Sequence, residues 1–216
     1  MAPSTSRALP PPPSEAGRFG LVELEGFYAL HARIYDWTRP FLLFARREAA
    51  AAASSGPGDL VLDVGCGTGV NLPRLLAGGA QVVGVESSEA MRRRASARIG
   101  RLEDGLRARA RLDPRPYGAH AEYAGKARAV LFSYSLSMIP PFGEVLARAR
   151  ADLRPGGRIV VVDFLDAREP VALGLRASHV FLGGERLAEL RRLFPAHRLS
   201  VRSAVLWRYF VFAGEV

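Results

Sequence analysis

The stretch Val61-Leu62-Asp63-Val64-Gly65-Cys66-Gly67-Thr68-Gly69-Val70-Asn71 decides the fold. A short apolar strand runs into three glycines at alternate positions, and a helical pattern begins at about Val70. Glycine accepts the positive φ of a tight turn and lets a ligand approach the backbone closely. Glu86 follows Gly67 by nineteen residues, at the end of the apolar run 81–86, where a carboxylate can accept from both ribose hydroxyls of an adenosine.

Asp63 narrows the choice of ligand. A carboxylate just ahead of the glycines repels a pyrophosphate but favours the ammonium and sulfonium charges of S-adenosylmethionine. The glycines are spaced GxGxG rather than the GxGxxG of a dinucleotide turn, and no Gly-Lys-Ser/Thr follows, which excludes a P-loop.

Working outward, residues 129–133 (AVLFS) and 158–164 (RIVVVDF) read as further buried strands, each followed by a helical pattern. Such alternation predicts an α/β, Rossmann-like fold: a mostly parallel sheet with helices on both faces. The last segment, 197–215, carries two β-rich runs around Ser203-Ala204 and predicts an antiparallel edge pair at the C-terminus. Upstream, Leu21, Leu24, Tyr28, His31 and Tyr35 recur at helical spacing. Pro40 interrupts, and a second helix through Phe41, Leu42, Phe44 and residues 49–53 ends at Ser54-Ser55-Gly56-Pro57-Gly58. Residues 1–17, with the run Pro10-Pro11-Pro12-Pro13 and no apolar core, read as a disordered tail. A single domain over 18–216 is expected, with an N-terminal helical cap (18–56) on a Rossmann-like core (57–216).

Two hundred and sixteen residues, 49% of them hydrophobic, suffice for one continuous core. The formal charge is +9, which excludes an acidic solvating protein and admits polyanionic partners. Residues 92–115 alone carry +6, with Arg94, Arg98 and Arg101 on one helical face; a basic ridge lying on anionic lipid headgroups is expected there. The one cysteine, Cys66, cannot make an internal disulfide, and no Cys/His set has zinc spacing; a reducing cytoplasm, with possible peripheral membrane contact, and no bound metal are expected.

The glycine turn, Glu86 and the Leu153-Arg154-Pro155-Gly156-Gly157 turn before a strand together resemble class I S-adenosylmethionine-dependent methyltransferases. The resemblance implies that cofactor, with S-adenosylhomocysteine as product. Asp63, Gly65 and Gly67 would meet its methionyl part, Glu86 with its neighbour Ser87 the ribose, and Met91 adenine. Cys66, Thr68, Gly69 and Asn71 complete the turn's share, and Ser133 and Tyr35 would approach from elsewhere. Met91 also starts a core stripe with Ala95, Ile99, Leu102 and Leu106. Residues 112–118 offer no clear equivalent of the acid that this family sets against adenine.

Three segments are similar to a narrower family, the bacterial N-methyltransferases that convert diacylglyceryl-homoserine into betaine lipid. They are Ile34-Tyr35-Asp36-Trp37-Thr38-Arg39, Ser133-Tyr134-Ser135-Leu136-Ser137-Met138-Ile139-Pro140, and Val161-Val162-Asp163-Phe164 followed by an Arg-rich helix and His179-Val180. Arg128 departs from the Asp typical of that family before the strand. The resemblance implies a lipid-linked amine, or alternatively a soluble small-molecule amine or other metabolite, as methyl acceptor. Tyr28, Tyr35, Trp37 and Tyr134 are candidate aromatic faces for the cation that forms. Tyr134, His31 and His179 are the catalytic candidates, the two histidines as proton acceptors, and Arg39 could hold an acceptor carboxylate. The segment Ile139-Pro140-Pro141-Phe142 is superficially like the Asn/Asp-Pro-Pro-Tyr motif of nucleic-acid amino-methyltransferases. Ile139 cannot accept a hydrogen bond from an exocyclic amine, so nucleic acid is not favoured, and the prolines are read as opening the next helix.

Overall fold

A computed structural model describes residues 43–216. The expected positions Tyr28, His31, Tyr35, Trp37 and Arg39, the 1–17 tail and most of the 18–56 cap lie outside them. In chain order the elements are α1 (Arg46–Ala53), β1 (Leu60–Val64), α2 (Leu72–Ala77), β2 (Gln81–Val85), α3 (Glu89–Ile99), α4 (Asp104–Arg107), β3 (Ala110–Asp113) and β4 (Ala127–Ser133). A 3-10 turn (Leu136–Met138), α5 (Phe142–Asp152), β5 (Leu153–Ala167), α6 (Val171–Ala177), α7 (Glu185–Leu193), β6 (His197–Ser203) and β7 (Trp207–Glu215) complete the chain.

Seven strands form one sheet in the order β3-β2-β1-β4-β5-β7-β6. The first five are parallel; β7 runs antiparallel to β5, and β6 antiparallel to β7. The antiparallel pair is therefore present as expected, with β7 inserted inside β6. Central strands such as β4 are buried along nearly their whole length because both faces are covered, with the apolar run Ala129-Val130-Leu131-Phe132 at the centre. One face buries Ala49, Ala50 and Ala53 of α1 with Leu72, Leu75 and Leu76 of α2, and the other buries Val145, Leu146 and Ala149 of α5 with Leu187 and Leu190 of α7. Each fully buried Leu contributes roughly 1.5–3 kcal/mol.

Several local expectations change. The strand β3 has no apolar run, only Ala-Arg-Leu-Asp, and gave no sequence signal; it is held by parallel pairing with β2. The second helix starts at Arg46, so Phe44 lies ahead of it, where Ala45 adopts φ 59°, and Phe41 and Leu42 lie outside the described residues. The helix after the glycine turn starts at Leu72, two residues later than expected, with Pro73 in its first turn. The Met91 stripe spans a break: α3 ends at Ile99 and α4 opens at Asp104, yet Ile99, Leu102 and Leu106 all pack on the same core face. The expected basic ridge is not a free face. Arg94 and Arg98 are half-buried and each is engaged in an interaction, and only Arg101 is exposed.

The links β1–β2, β2–β3 and β4–β5 contain helices, but β3–β4 (114–126) contains none. A charged clasp holds it instead. Asp113, buried at the carboxyl end of β3, accepts from Arg115 Nε (2.9 Å) and Nη2 (2.8 Å) and from Tyr123 Oη (2.6 Å). The Arg115 guanidinium, with the help of Tyr123 and against the cost of burial, holds the Asp113 carboxyl well below its ordinary range.

Candidate active site

Among the described residues, the expected cofactor elements lie at the carboxyl ends of β1, β2 and β4, the edge where open parallel sheets bind ligands. Gly65, Gly67 and Gly69 all have positive φ (65°, 58° and 74°). The turn is fastened to β2: the Gly65 and Cys66 amides both donate to the Val85 carbonyl, at 2.9 and 3.1 Å. Glu86 then reaches back, its Oε2 accepting from the Gly67 amide at 2.9 Å and its Oε1 from the Ser88 amide at 2.9 Å. Arg92 closes the other side by donating to the Glu86 carbonyl at 2.9 Å. Ser88 caps α3 by accepting from the Met91 amide. Burial pushes the Glu86 carboxyl up, against the amide bonds and the Arg92 charge.

A cleft of about 740 Å³ opens over this turn. Its cofactor side is lined by Gly65, Gly67, Glu86, Ser87 and Met91, and its opposite wall by Tyr134, Ser135, Met138 and Ile139. Asp63 lies fully buried beneath the turn, and among the described residues neither of its carboxylate oxygens has a hydrogen-bond partner. Burial pushes its pKa up to about 7, while the Arg46 charge and the nearby Asn71 side chain pull the other way without closing a bond on the carboxylate.

The opposite wall is set by long-range contacts. Tyr134 has φ 58°, unusual for a residue with a side chain, and its amide donates to the Val162 carbonyl at 2.7 Å. Its hydroxyl donates to the Phe44 carbonyl at 3.0 Å and its ring meets Phe164 edge-on at 4.8 Å. Burial pushes the Tyr134 phenol well up, so the group stays a protonated donor. Ser135 Oγ donates to the Val64 carbonyl at 2.6 Å, tying this wall to β1.

Gly65, Gly67, Glu86, Ser87, Met91 and Tyr134 are thus brought to one cleft, while Asp63 is buried beneath the turn and is not among the cleft's lining residues. Cys66, Thr68, Gly69 and Asn71 are buried in or behind the turn, and burial pushes the Cys66 thiol well up. Ser133 is buried at the end of β4, its hydroxyl without a partner among the described residues. His179 follows α6 with φ 57°, is exposed, and is not among the cleft's lining residues. The acid sought after β3 is Asp113, but Arg115 and Tyr123 occupy its oxygens. Asp113, His120 and Glu122 bring donor atoms within 4.8 Å of one another, but Arg115 already occupies the cation position between the two carboxylates. Ser135, Met138 and Asp163 were quoted in motifs but given no role. For Asp163 the signal was an acid inside the apolar run Ile159-Val160-Val161-Val162, which demands buried partners.

The two glycines nearest the cofactor side should respond differently to alanine. A Cβ on Gly65 would lie 2.5 Å from Ser135 Cβ, whereas one on Gly67 would meet nothing within 4 Å because it points into the open cleft. Gly65→Ala should cost about 2–4 kcal/mol from left-handed strain plus overpacking, seen as a lower melting temperature. Gly67→Ala should cost only the strain, about 1–2 kcal/mol, yet weaken cofactor binding at least about tenfold. Equal effects of both on melting would contradict this placement.

A family model described as a methyltransferase domain matches residues 30–216. Demethylmenaquinone methyltransferase of Mycobacterium sp. (strain KMS) is 33% identical over 150 residues, covering 66% of this chain and 60% of that protein. Ubiquinone biosynthesis O-methyltransferase of Xanthomonas campestris pv. campestris (strain B100) is 30% identical over 188 residues, covering 84% of this chain and 74% of that protein. Among solved structures, phosphoethanolamine N-methyltransferase 2 of Haemonchus contortus superposes with a TM-score of 0.73 at 13% identity, covering 90% of this chain and 58% of that one. With the sheet order, the glycine turn and Glu86 in place, the chain belongs to the methyltransferase domain family, whose cofactor is S-adenosylmethionine.

Proposed function

We propose that this chain is an N-methyltransferase whose acceptor is the amino group of a lipid-linked amino acid of the betaine-lipid type. The cleft suits the cofactor on three counts. A buried carboxylate with two orphaned oxygens waits for a cation, open space lies over Gly67, and Glu86 offers a carboxylate at the end of β2. S-adenosylmethionine supplies, when bound, an electrophilic methyl group on a sulfonium. Asp63 and the Gly65–Gly67 backbone would hold its charged end, and Glu86 its ribose.

The observation that supports the acceptor assignment is the position of Ser133-Tyr134-Ser135-Leu136-Ser137-Met138-Ile139-Pro140, of which Tyr134, Ser135, Met138, Ile139 and Pro140 line the cleft opposite Gly67 and Glu86. In-line displacement needs an aligned, unprotonated amine and the exclusion of water, with no covalent nucleophile. The wall of Tyr134, Met138 and Ile139 is apolar and fixed by the Val64, Val162 and Phe44 carbonyls, which suits both requirements. Tyr134 contributes a ring, not a base, and its hydroxyl proton is committed to the Phe44 carbonyl. The roles assigned to Tyr28, His31, Tyr35, Trp37 and Arg39 belong to the same proposal.

Labelled S-adenosylmethionine and diacylglyceryl-homoserine test it: label should appear in the lipid amine. Absence of labelled lipid from protein that binds the cofactor would sink the lipid assignment. The quinone-pathway names of the relatives favour a second reading, methylation of a biosynthetic metabolite, which gains if a small-molecule extract is labelled instead.

A further inference from the structure

Seven large apolar side chains are exposed among the described residues, and several of them gather at the end of the sheet where the cleft opens. Val205 (89% exposed) and Leu206 form the tip of the β6–β7 hairpin, beside the carboxyl end of β5, where Ala167 pairs with Trp207. The Leu206 carbonyl accepts from the Arg168 amide at 2.8 Å, and three residues into α6 Leu173 is 65% exposed. On the other side of Trp207 the ring of Phe44, also exposed, stacks at 5.9 Å. These apolar tips are rimmed by cations. Arg176, Arg202 and Arg208 are matched by Glu169, Glu48 and Asp166, while the exposed Arg168, hydrogen-bonded through its amide to the tip, adds a positive charge with no ion pair among the described residues.

We propose that this end of the molecule, the β6–β7 tip with Leu173 and the surrounding arginines, docks on an anionic phospholipid bilayer. The apolar tips would enter the acyl boundary while Arg168 meets a headgroup phosphate. The docked face lies at the same end of the sheet as the cleft, so a lipid-borne amine need not leave the membrane surface to reach it. The inference rests on the lipid-acceptor reading for its purpose, and it places the membrane contact away from the α3 arginines.

Co-sedimentation with phosphatidylcholine vesicles containing phosphatidylglycerol tests the surface directly. The parent chain should bind these vesicles and release from pure phosphatidylcholine. The double variant Val205→Glu/Leu206→Glu should bind at least about tenfold more weakly, and Arg168→Glu several-fold more weakly, with cofactor affinity and melting temperature unchanged. Arg94→Glu/Arg98→Glu/Arg101→Glu should bind vesicles as the parent does. Parent-like vesicle binding by the hairpin variant, or its conversion of a dimer to a monomer without any vesicle binding by the parent, would overturn the proposal. Turnover of diacylglyceryl-homoserine in detergent micelles separates the two ideas. A hairpin variant active in micelles and inactive on vesicles supports docking. Tip-dependent vesicle binding with no lipid methylation leaves docking standing and removes the acceptor assignment.

Discussion

Asp63→Asn should weaken S-adenosylmethionine binding about a hundredfold at neutral pH and abolish the pH dependence of what remains. The carboxylate is fully buried, has no hydrogen-bond partner among the described residues, and is pushed up to about 7 chiefly by burial. A cation arriving beside it favours the ionised form, so binding below that pH must expel a proton. Affinity of the parent should therefore fall as pH drops from about 7 to about 5, by up to about tenfold per unit. Ligand-free stability runs the other way. A carboxyl whose folded pKa lies above its unfolded value of 3.8 destabilises the fold once ionised, on the order of 4 kcal/mol above neutral pH, and the penalty is relieved as pH falls from about 7 towards 4. The asparagine variant should thus be at least as stable as the parent above neutral pH while binding far worse. Calorimetric titration across that range decides it, and a flat affinity profile for the parent would refute the placement.

The second large effect concerns stability. Asp163→Ala should cost about 3–5 kcal/mol and lower the melting temperature by about 10 °C. Asp163 is fully buried and accepts from Ser137 N at 2.7 Å, Ser137 Oγ at 2.8 Å and Phe164 N at 2.8 Å. Burial pushes its carboxyl up, opposed first by the Arg186 charge and then by those bonds. Arg186, itself only 2% exposed, donates to the Phe164 carbonyl at 2.7 Å and to the Phe181 carbonyl, and lies over the Phe142 ring. Removing the carboxylate leaves a buried cation without its counter-charge, which is why the single deletion costs more than the pair contributes. Ser137→Ala should lose only about 1 kcal/mol, and Asp163→Ala/Arg186→Leu should recover part of the loss. A parent-like melting curve for Asp163→Ala would remove this account. Because Ser137 lies in the turn between Leu136 and Met138, the same variant should also loosen the cleft wall that carries Tyr134 and Met138.

Local signals explain which elements were legible. Strands β1, β2, β4 and β5 each hold a buried apolar run, and the β6–β7 pair shows as two β-rich runs about a turn. By contrast β3 is a four-residue edge strand containing Arg111, and only pairing with β2 makes it a strand. Composition also misplaced the charge. Arg94 and Arg98 share a helical face as spacing demands, but that face is half-buried, while Arg168, far away in sequence, lies at the apolar β6–β7 tip.

What the sequence by itself determined was the cofactor turn: an acid, alternate glycines needing positive φ, and a second acid one strand later. Each is a demand that the backbone makes within one β-α-β unit, so about twenty-five residues carry it. What only the tertiary structure decided was how the remaining polar groups are used. Ser135 reaches Val64 across 71 positions, Asp163 reaches Ser137 across 26, and Asp113 is turned away from the cleft by Arg115 and by Tyr123, ten positions on. A buried polar group announces that it must have a partner. Its identity depends on which strands lie side by side, and the order β3-β2-β1-β4-β5-β7-β6 sets that through burial of both faces of the sheet.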